Sequence, residues 1–251
     1  MKDELITKTL KQYIERHKDN YFIIGGNAVN YVLSRYGIEF RVTDDFDIVL
    51  VTQICDDMFI NDLNKLIRDG GYVHKWKNEK ATAYRFENSK KEGFPRIIEF
   101  FVEEGQYQES LDKRLAKLDI KVNEERISAI VIDSELYQFA LNNRIEIDGL
   151  MFLNREALIV LKVIAYFNNK DLYQKNHLVS SNDYLKHRKD VIDLLSSYTS
   201  NANPVRLSDS LLSYIIKFEK VLNSNESKQI CKTRAYNHKD IIERYRELFL
   251  K

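Results

Sequence analysis

Two cysteines and two prolines in 251 residues leave this chain almost without the residues that staple or kink a backbone. Cys55 and Cys231 lie far apart and have no metal-ligand spacing. That argues against a disulfide framework and fits free thiols in a reducing cytoplasm. No apolar run approaches the ~18 residues that cross a bilayer. Met1-Lys2-Asp3-Glu4 lacks the apolar core of a signal peptide, so the expected location is cytoplasmic. Neither sign of charge prevails, with 39 Lys+Arg against 38 Asp+Glu. No global positive field announces a nucleic-acid partner, although a balanced sum is compatible with a local basic patch. None of the five histidines falls at zinc spacing. Neither a Walker pattern nor G-x-G-x-x-G is present, which leaves P-loop and dinucleotide-binding functions without support. There is no internal repeat and no low-complexity tract.

What remains is an ordinary globular composition, 44% hydrophobic and 31% charged. The length suits one large domain or two small ones. Leu5, Ile6, Leu10, Tyr13 and Ile14 share a helical stripe, which predicts an opening amphipathic helix. Tyr21-Phe22-Ile23-Ile24 reads as a buried strand stopped by Gly25-Gly26. A helix from Ala28 to Tyr36 ends at Gly37. Phe46 to Val51 reads as an internal strand, and Asp56 to Arg68 as a helix closed by Gly70-Gly71. Further strands are expected at Thr82 to Phe86, Arg96 to Val102 and Ile127 to Ile132, with Gly93-Phe94-Pro95 turning between the first two. Leu136 to Asn142 is helical or mixed. Past Leu153 the period is helical throughout: Arg155 to Phe167, Asn182 to Tyr198, Arg206 to Leu222 and His238 to Leu250. A polar connector is expected from Asn168 to Ser181. The expected fold class is α+β, with a mixed-sheet α/β domain over 1–150 and a helical bundle over 151–251.

Chemistry concentrates at Arg41-Val42-Thr43-Asp44-Asp45-Phe46-Asp47. In an extended strand Asp45 and Asp47 point to one face, roughly 7 Å apart, while Asp44 points to the other. A carboxylate pair so spaced can share divalent ions, and two-metal sites stabilise both the attacking and the leaving oxygen of a phosphoryl displacement. The plainer alternative is a solvated acidic turn. Gly25 and Gly26 let backbone amides approach a phosphate at a helix N-terminus, and Asn27 is placed either to cap that helix or to bind the phosphate. Glu99 interrupts the apolar run Ile97-Ile98-Glu99-Phe100-Phe101 and needs a partner, an ion or exposure at a strand edge. Beside Asp45 and Asp47 it would complete a metal site or act as a base. A basic and aromatic stretch, Tyr72 through Trp76, Lys77 and Lys80 to Arg85, is either a nucleic-acid contact or a solvated hairpin face.

Taken together, the apolar-Gly-Gly element and Arg41-x-Thr43-x-Asp45-x-Asp47 resemble the nucleotidyltransferase (polymerase-beta-like) superfamily. Within it the chain resembles the AbiEii-type toxins of abortive-infection and type IV toxin–antitoxin systems. Leu158 to Ala165 is similar to that family's helix with a functional lysine, here Lys162. His187 to Leu194 is similar to its Arg-x-Lys-Asp-x-x-Asp-Leu signature. The likeness covers about residues 20 to 195, and departs from the family pattern at Asn27, at Glu99 and in the long connector between Lys162 and Asp190. It implies catalytic roles for Asp45, Asp47, Glu99, Lys162 and Asp190, with Asp193 in support. It implies nucleotide binding by Gly25, Gly26, Asn27, Arg41, Thr43 and Lys162, and two Mg²⁺ ions on Asp45, Asp47 and Glu99. The implied substrate is a nucleoside triphosphate held between the domains, the acceptor a hydroxyl such as a tRNA 3′ end, and the partner a cognate antitoxin protein. Transfer to a protein or small molecule, or retention of the fold without catalysis, stand as alternatives. For Lys162 the plainer alternative is a snorkelling lysine that covers the core; for Asp190 and Asp193, three apart on one helix face, it is pairing with Lys186 or Lys189.

Overall fold

A computed structural model describes residues 2–41, 43, 45–74, 85–87, 89–104, 115–122, 125–175, 180–198 and 203–251. The chain groups into two compact units: Met1–Ala28 with Val42–Leu153, and Val29–Arg41 with Asn154–Lys251.

The first is a sheet unit. Its helices are α1 (Lys2–Ile14), the opening residues of α2 (Gly25–Ser34), α3 (Asp57–Gly70) and α4 (Ser134–Asn142). Its strands are β1 (Tyr21–Ile24), β2 (Asp45–Leu50), β3 (Val73–His74), β4 (Arg85–Glu87), β5 (Ile97–Glu103), β6 (Leu115–Val122), β7 (Glu125–Ile132), β8 (Arg144–Ile147) and β9 (Leu150–Leu153). They form one mixed sheet in the order β3-β4-β5-β2-β1-β9-β8, with β7 on β5 and β6 on β7. β1 lies between β2 and β9, and all four of its residues are buried. An apolar run without alternation is what a strand covered on both faces requires.

β2 and β5 pair in parallel and alternate differently. Phe46, Ile48, Ile98, Phe100 and Val102 are buried, while Asp45, Asp47, Ile97, Glu99 and Phe101 are half-buried on the other face. Phe86 of β4 meets Phe100 edge-on, with ring centroids 5.5 Å apart, and both are fully buried. Asp56 caps α3 by accepting from the Phe59 N–H at 2.8 Å, and Gly71 ends it at φ 65°, the left-handed conformation that glycine adopts without strain.

The second unit is helical. It contains α2 from Val29 onward, the segment to Arg41, α5 (Arg155–Gln174), α6 (Ser181–Ser196), α7 (Asp209–Leu222), α8 (Asn225–Thr233) and α9 (His238–Phe249). Side chains of Asn154, Ser208, Ser224 and Asn237 cap the starts of α5, α7, α8 and α9. At the start of α6, Asp183 accepts from both the N–H and the hydroxyl of Ser180. Tyr166, Phe218, Tyr245 and Phe249 form an aromatic chain through the interior. The Arg155 guanidinium lies between the rings of Tyr36 and Tyr198, 4.4 and 3.8 Å from their centroids. It thereby ties the segment after α2 to the start of α5 and the end of α6.

Several elements differ from the expectation. The segment after Leu136 extends through a hairpin, β8–β9, turning at Asp148-Gly149 with φ of 50° and 84°. β6 and α8 were not expected. The polar stretch from Asn168 is not a connector at its start, because α5 continues to Gln174. Residues 75–84, including Trp76, Lys77 and Lys80, lie outside the described residues, so the aromatic and basic stretch is placed only at Tyr72, Val73, His74 and Arg85. Asp44 also lies outside them. Among the described residues no helix is long and apolar enough to cross a membrane.

Candidate active site

On the half-buried face of β2 and β5, strand register sets the chemistry. Asp47 of β2 is opposite Glu99 of β5, and Glu99 is opposite Arg85 of β4. Paired residues project to the same face of a sheet, so these three side chains form one row across three strands. Asp45, two residues before Asp47, and Glu87, two residues after Arg85, extend the row on the same face.

Arg85 gathers these groups. Its Nε donates to Glu87 and its Nη1 to Glu99, both in short contacts, while Nη2 is 3.8 Å from Asp45 Oδ1. Burial pushes the Glu99 carboxyl upward and the Asp45 charge adds to this; the Arg85 charge and a hydrogen bond with Asp47 work against it, and the net direction is up. Two carboxyl groups in hydrogen-bonding reach, Asp47 and Glu99, can stay together only by sharing a proton or a cation. Burial opposes the charge on Arg85, but Glu99, Glu87 and Asp45 outweigh it and hold the guanidinium ionised.

Gly25 explains how Asp47 reaches this place. At φ 77°, its missing side chain leaves room for the Asp47 carboxylate: a Cβ there would lie 1.7 Å from Oδ2. Only glycine permits both the backbone angle and the approach. Asn27 neither caps α2, which starts at the glycine pair, nor faces solvent. It is buried, and its amide donates to the Asp45 carbonyl at 2.5 Å, fastening the start of β2 to α2. The Thr43 hydroxyl is buried and finds no hydrogen-bond partner among the described residues.

A second constellation belongs to the helical unit. Asp190 of α6 is fully buried, and Lys162 of α5 is 5% exposed. Lys162 Nζ lies 2.9 Å from Asp190 Oδ2. Arg41 donates from Nε and Nη2 to the same carboxylate at 3.3 and 3.2 Å. Burial alone would raise the Asp190 carboxyl; the Lys162 and Arg41 charges prevail and hold it below the usual carboxylate range. One turn earlier, His187 is held neutral, pushed down to about 3 by burial first and then by the Lys162 charge. One turn later, burial pushes Asp193 up to about 7 against the pull of Arg234, whose Nη2 is 2.9 Å from Oδ2.

No protein-family profile matches this sequence, and no curated protein matches it either. Among solved structures it is similar to the crystal structure of the Megavirus polyadenylate synthase, at 12% identity and a TM-score of 0.40. The similarity covers 87% of this chain and 36% of that one. The chain therefore spans about a third of the length of the structure it matches.

Asp45, Asp47 and Glu99 share one face of the sheet unit, beside Gly25 and Asn27. Lys162, Asp190 and Arg41 meet within the helical unit. Asp190 and Asp193 do not pair with the lysines of their own helix: Lys186 is bound to Asp183, and the partners come from α5, from the segment after α2 and from the end of α8. Arg85 and Glu87 were not singled out as site residues, since only strand register brings them to the acidic pair. His187 entered only as the first residue of a signature, and Arg234 not at all. Among the described residues, no group of three His, Cys, Asp or Glu side chains is arranged to hold a metal ion. The carboxylates surround Arg85 instead.

Proposed function

We propose that this chain is a divalent-cation-dependent nucleotidyltransferase acting on a nucleoside triphosphate. The observation that carries this is the contact between Asp47 and Glu99, with Asp45 on the same face and Gly25 reduced to a backbone beside them. Carboxylates assembled in a half-buried row call for a shared cation, and an all-oxygen donor set suits Mg²⁺. In the arrangement seen Arg85 meets their charge, so Asp45, Asp47 and Glu99 would hold such a cation once the guanidinium moves aside. When bound, such a cation supplies charge neutralisation at the oxygens of the transferred phosphoryl group.

The chain's own residues divide the remaining tasks. The amides of Gly25 and Gly26, at the N-terminus of α2, favour a phosphate, and Asn27 keeps β2 in register beside them. The acceptor hydroxyl attacks the α-phosphorus, the bond to pyrophosphate breaks, and the hydroxyl proton passes to a carboxylate of the row. Glu99 has two alternative roles: it completes the cation's ligand set, or it leaves the cation to Asp45 and Asp47 and accepts that proton. Motif resemblance supports Lys162 as a phosphate ligand, with Arg41, Thr43 and Asp190 contributing. It also supports a tRNA 3′ end as acceptor and growth inhibition opposed by an antitoxin protein.

Incubating the protein with each labelled triphosphate, in separate tRNA and protein pools with Mg²⁺, tests the assignment. Label should enter one pool, and Asp45→Asn combined with Asp47→Asn should abolish its entry while leaving the circular dichroism spectrum intact. Undiminished transfer by that double variant would remove the carboxylates from the mechanism. Label in the protein pool alone would replace tRNA as the acceptor.

A further inference from the structure

We infer that Arg85 is a built-in rival of the divalent cation, holding the carboxylate row closed until the cation displaces it. The inference rests on the metal-binding role proposed for Asp45, Asp47 and Glu99, and adds Arg85, to which the proposed function gives no role.

The acidic row is assembled around a guanidinium. Arg85 reaches Glu87 through Nε, Glu99 through Nη1 and Asp45 through Nη2, so each edge of the group faces a different carboxylate. The Arg85, Glu99 and Glu87 side chains are 28%, 13% and 19% exposed, so bulk water screens these contacts only in part. A guanidinium does not lose its proton in a protein. The competition is therefore not relieved by pH, as it would be with a lysine or histidine in the same place. It ends only when Arg85 moves off Glu99 or when a stronger cation takes the carboxylates.

Charge makes both arrangements reasonable. Among the described residues, Asp45, Asp47, Glu87 and Glu99 bring four carboxyl groups to one face of the sheet, against the single Arg85. Without a bound cation, Arg85 keeps these groups from repelling one another. Once a divalent ion enters, the like charge of Arg85 beside it is unfavourable, and the guanidinium is released from Glu99. A released arginine beside a cation and a triphosphate has a further use, because its fork of donors matches phosphate oxygens. Metal entering alone must displace Arg85 with no return. Metal entering with a triphosphate gives the arginine a new partner, so the two ligands should bind cooperatively.

The test is Mn²⁺ binding, read from the loss of the free-ion paramagnetic resonance signal, for the unaltered protein, Arg85→Gln and Arg85→Lys. Arg85→Gln should bind Mn²⁺ at least about tenfold more tightly, the modest end of what removing a like charge within ~5 Å predicts. Arg85→Lys keeps the charge and should stay within about threefold of the unaltered protein. Equal affinity in the unaltered protein and Arg85→Gln would overturn the rivalry and leave the metal site standing. A lysine variant as tight as the glutamine one would overturn it too. Absence of Mn²⁺ binding in every form would overturn the metal site and the rivalry together. If Arg85→Gln does not fold, the Arg85 Nε–Hε resonance of the unaltered protein decides. It should move and exchange faster as Mg²⁺ is added, and an unmoved signal at saturating Mg²⁺ would overturn the inference.

Discussion

Replacing Asp190 by asparagine should destabilise the helical unit more than any single change at the surface. The carboxylate has no solvent exposure and balances two cations. They are not equivalent. The Arg41 side chain is 39% exposed and can turn to water when its partner is lost, whereas that of Lys162 is 7% exposed and cannot. Asp190→Asn therefore strands one buried ammonium, and breaking a buried pair from one side costs about 3–5 kcal/mol. At roughly 4 °C per kcal/mol for a unit of this size, the melting midpoint should fall by more than ~10 °C. Lys162→Met leaves Asp190 with Arg41 still attached and should cost less, about 1–2 kcal/mol. The double variant should recover at least ~2 kcal/mol relative to the sum, since no buried charge is then stranded. Urea unfolding followed by far-ultraviolet circular dichroism on the four proteins completes the cycle. An Asp190→Asn loss below ~1 kcal/mol, or simple additivity, would refute the assignment of Asp190 as the counter-charge that lets Lys162 be buried.

Gly25→Ala should be poorly tolerated, because the new Cβ would meet the Asp47 carboxylate at 1.7 Å and the backbone sits at φ 77°. A stability loss of at least ~1 kcal/mol together with lost transfer is expected, and a fully active, fully stable variant would contradict the close approach. Two groups on α6 should oppose each other in the pH dependence of stability. His187, pushed down to about 3, stays neutral in the fold while the unfolded chain takes up a proton below its ordinary value, so its contribution falls with acid between about 6.5 and 3. Asp193, pushed up to about 7, keeps its proton in the fold after the unfolded chain has lost one, so its contribution falls as pH rises from about 4 to 7. Between about pH 4 and 6.5 the two contributions therefore oppose each other. Asp193→Asn should expose stability rising with pH, and His187→Gln stability falling with pH, in unfolding midpoints measured from pH 4 to 7.

Parts of this arrangement are readable from one dimension and parts are not. β1 is announced by four apolar residues ending at a glycine pair, and the shared face of Asp45 and Asp47 follows from strand period alone. The role of Glu99 does not follow, because a lone carboxylate in an apolar strand looks the same at an edge as beside a partner. Only the parallel register of β2 and β5 sets it against Asp47. Arg85 is hidden in the same way: its neighbours in sequence are basic and aromatic, its neighbours in space acidic. The β8–β9 hairpin did carry a signal, Asp148-Gly149 between two short apolar-containing runs, a pair suited to the positive φ of a two-residue turn. α8 carried little, since only Ser227 and Cys231 of its residues are buried and no apolar stripe marks it. The end of α5 likewise extends past its last buried residue, Tyr166, through a mainly polar stretch in which Phe167 packs on Phe218 and Tyr173 on Tyr184, too few apolar positions to mark a helical stripe.

The membership of residues 29–41 has a consequence for dividing the chain. They are made early yet belong with helices made last, bound through Arg41 to Asp190 and through Tyr36 to Arg155. During synthesis this segment must wait, with its future partners unmade, while the intervening sheet forms. A cut after Leu153 would not separate two complete halves: the amino-terminal piece would carry an orphaned strap, and the carboxy-terminal piece would keep Asp190 without one of its cations. A fragment faithful to the helical unit would have to carry residues 29–41 joined ahead of Asn154.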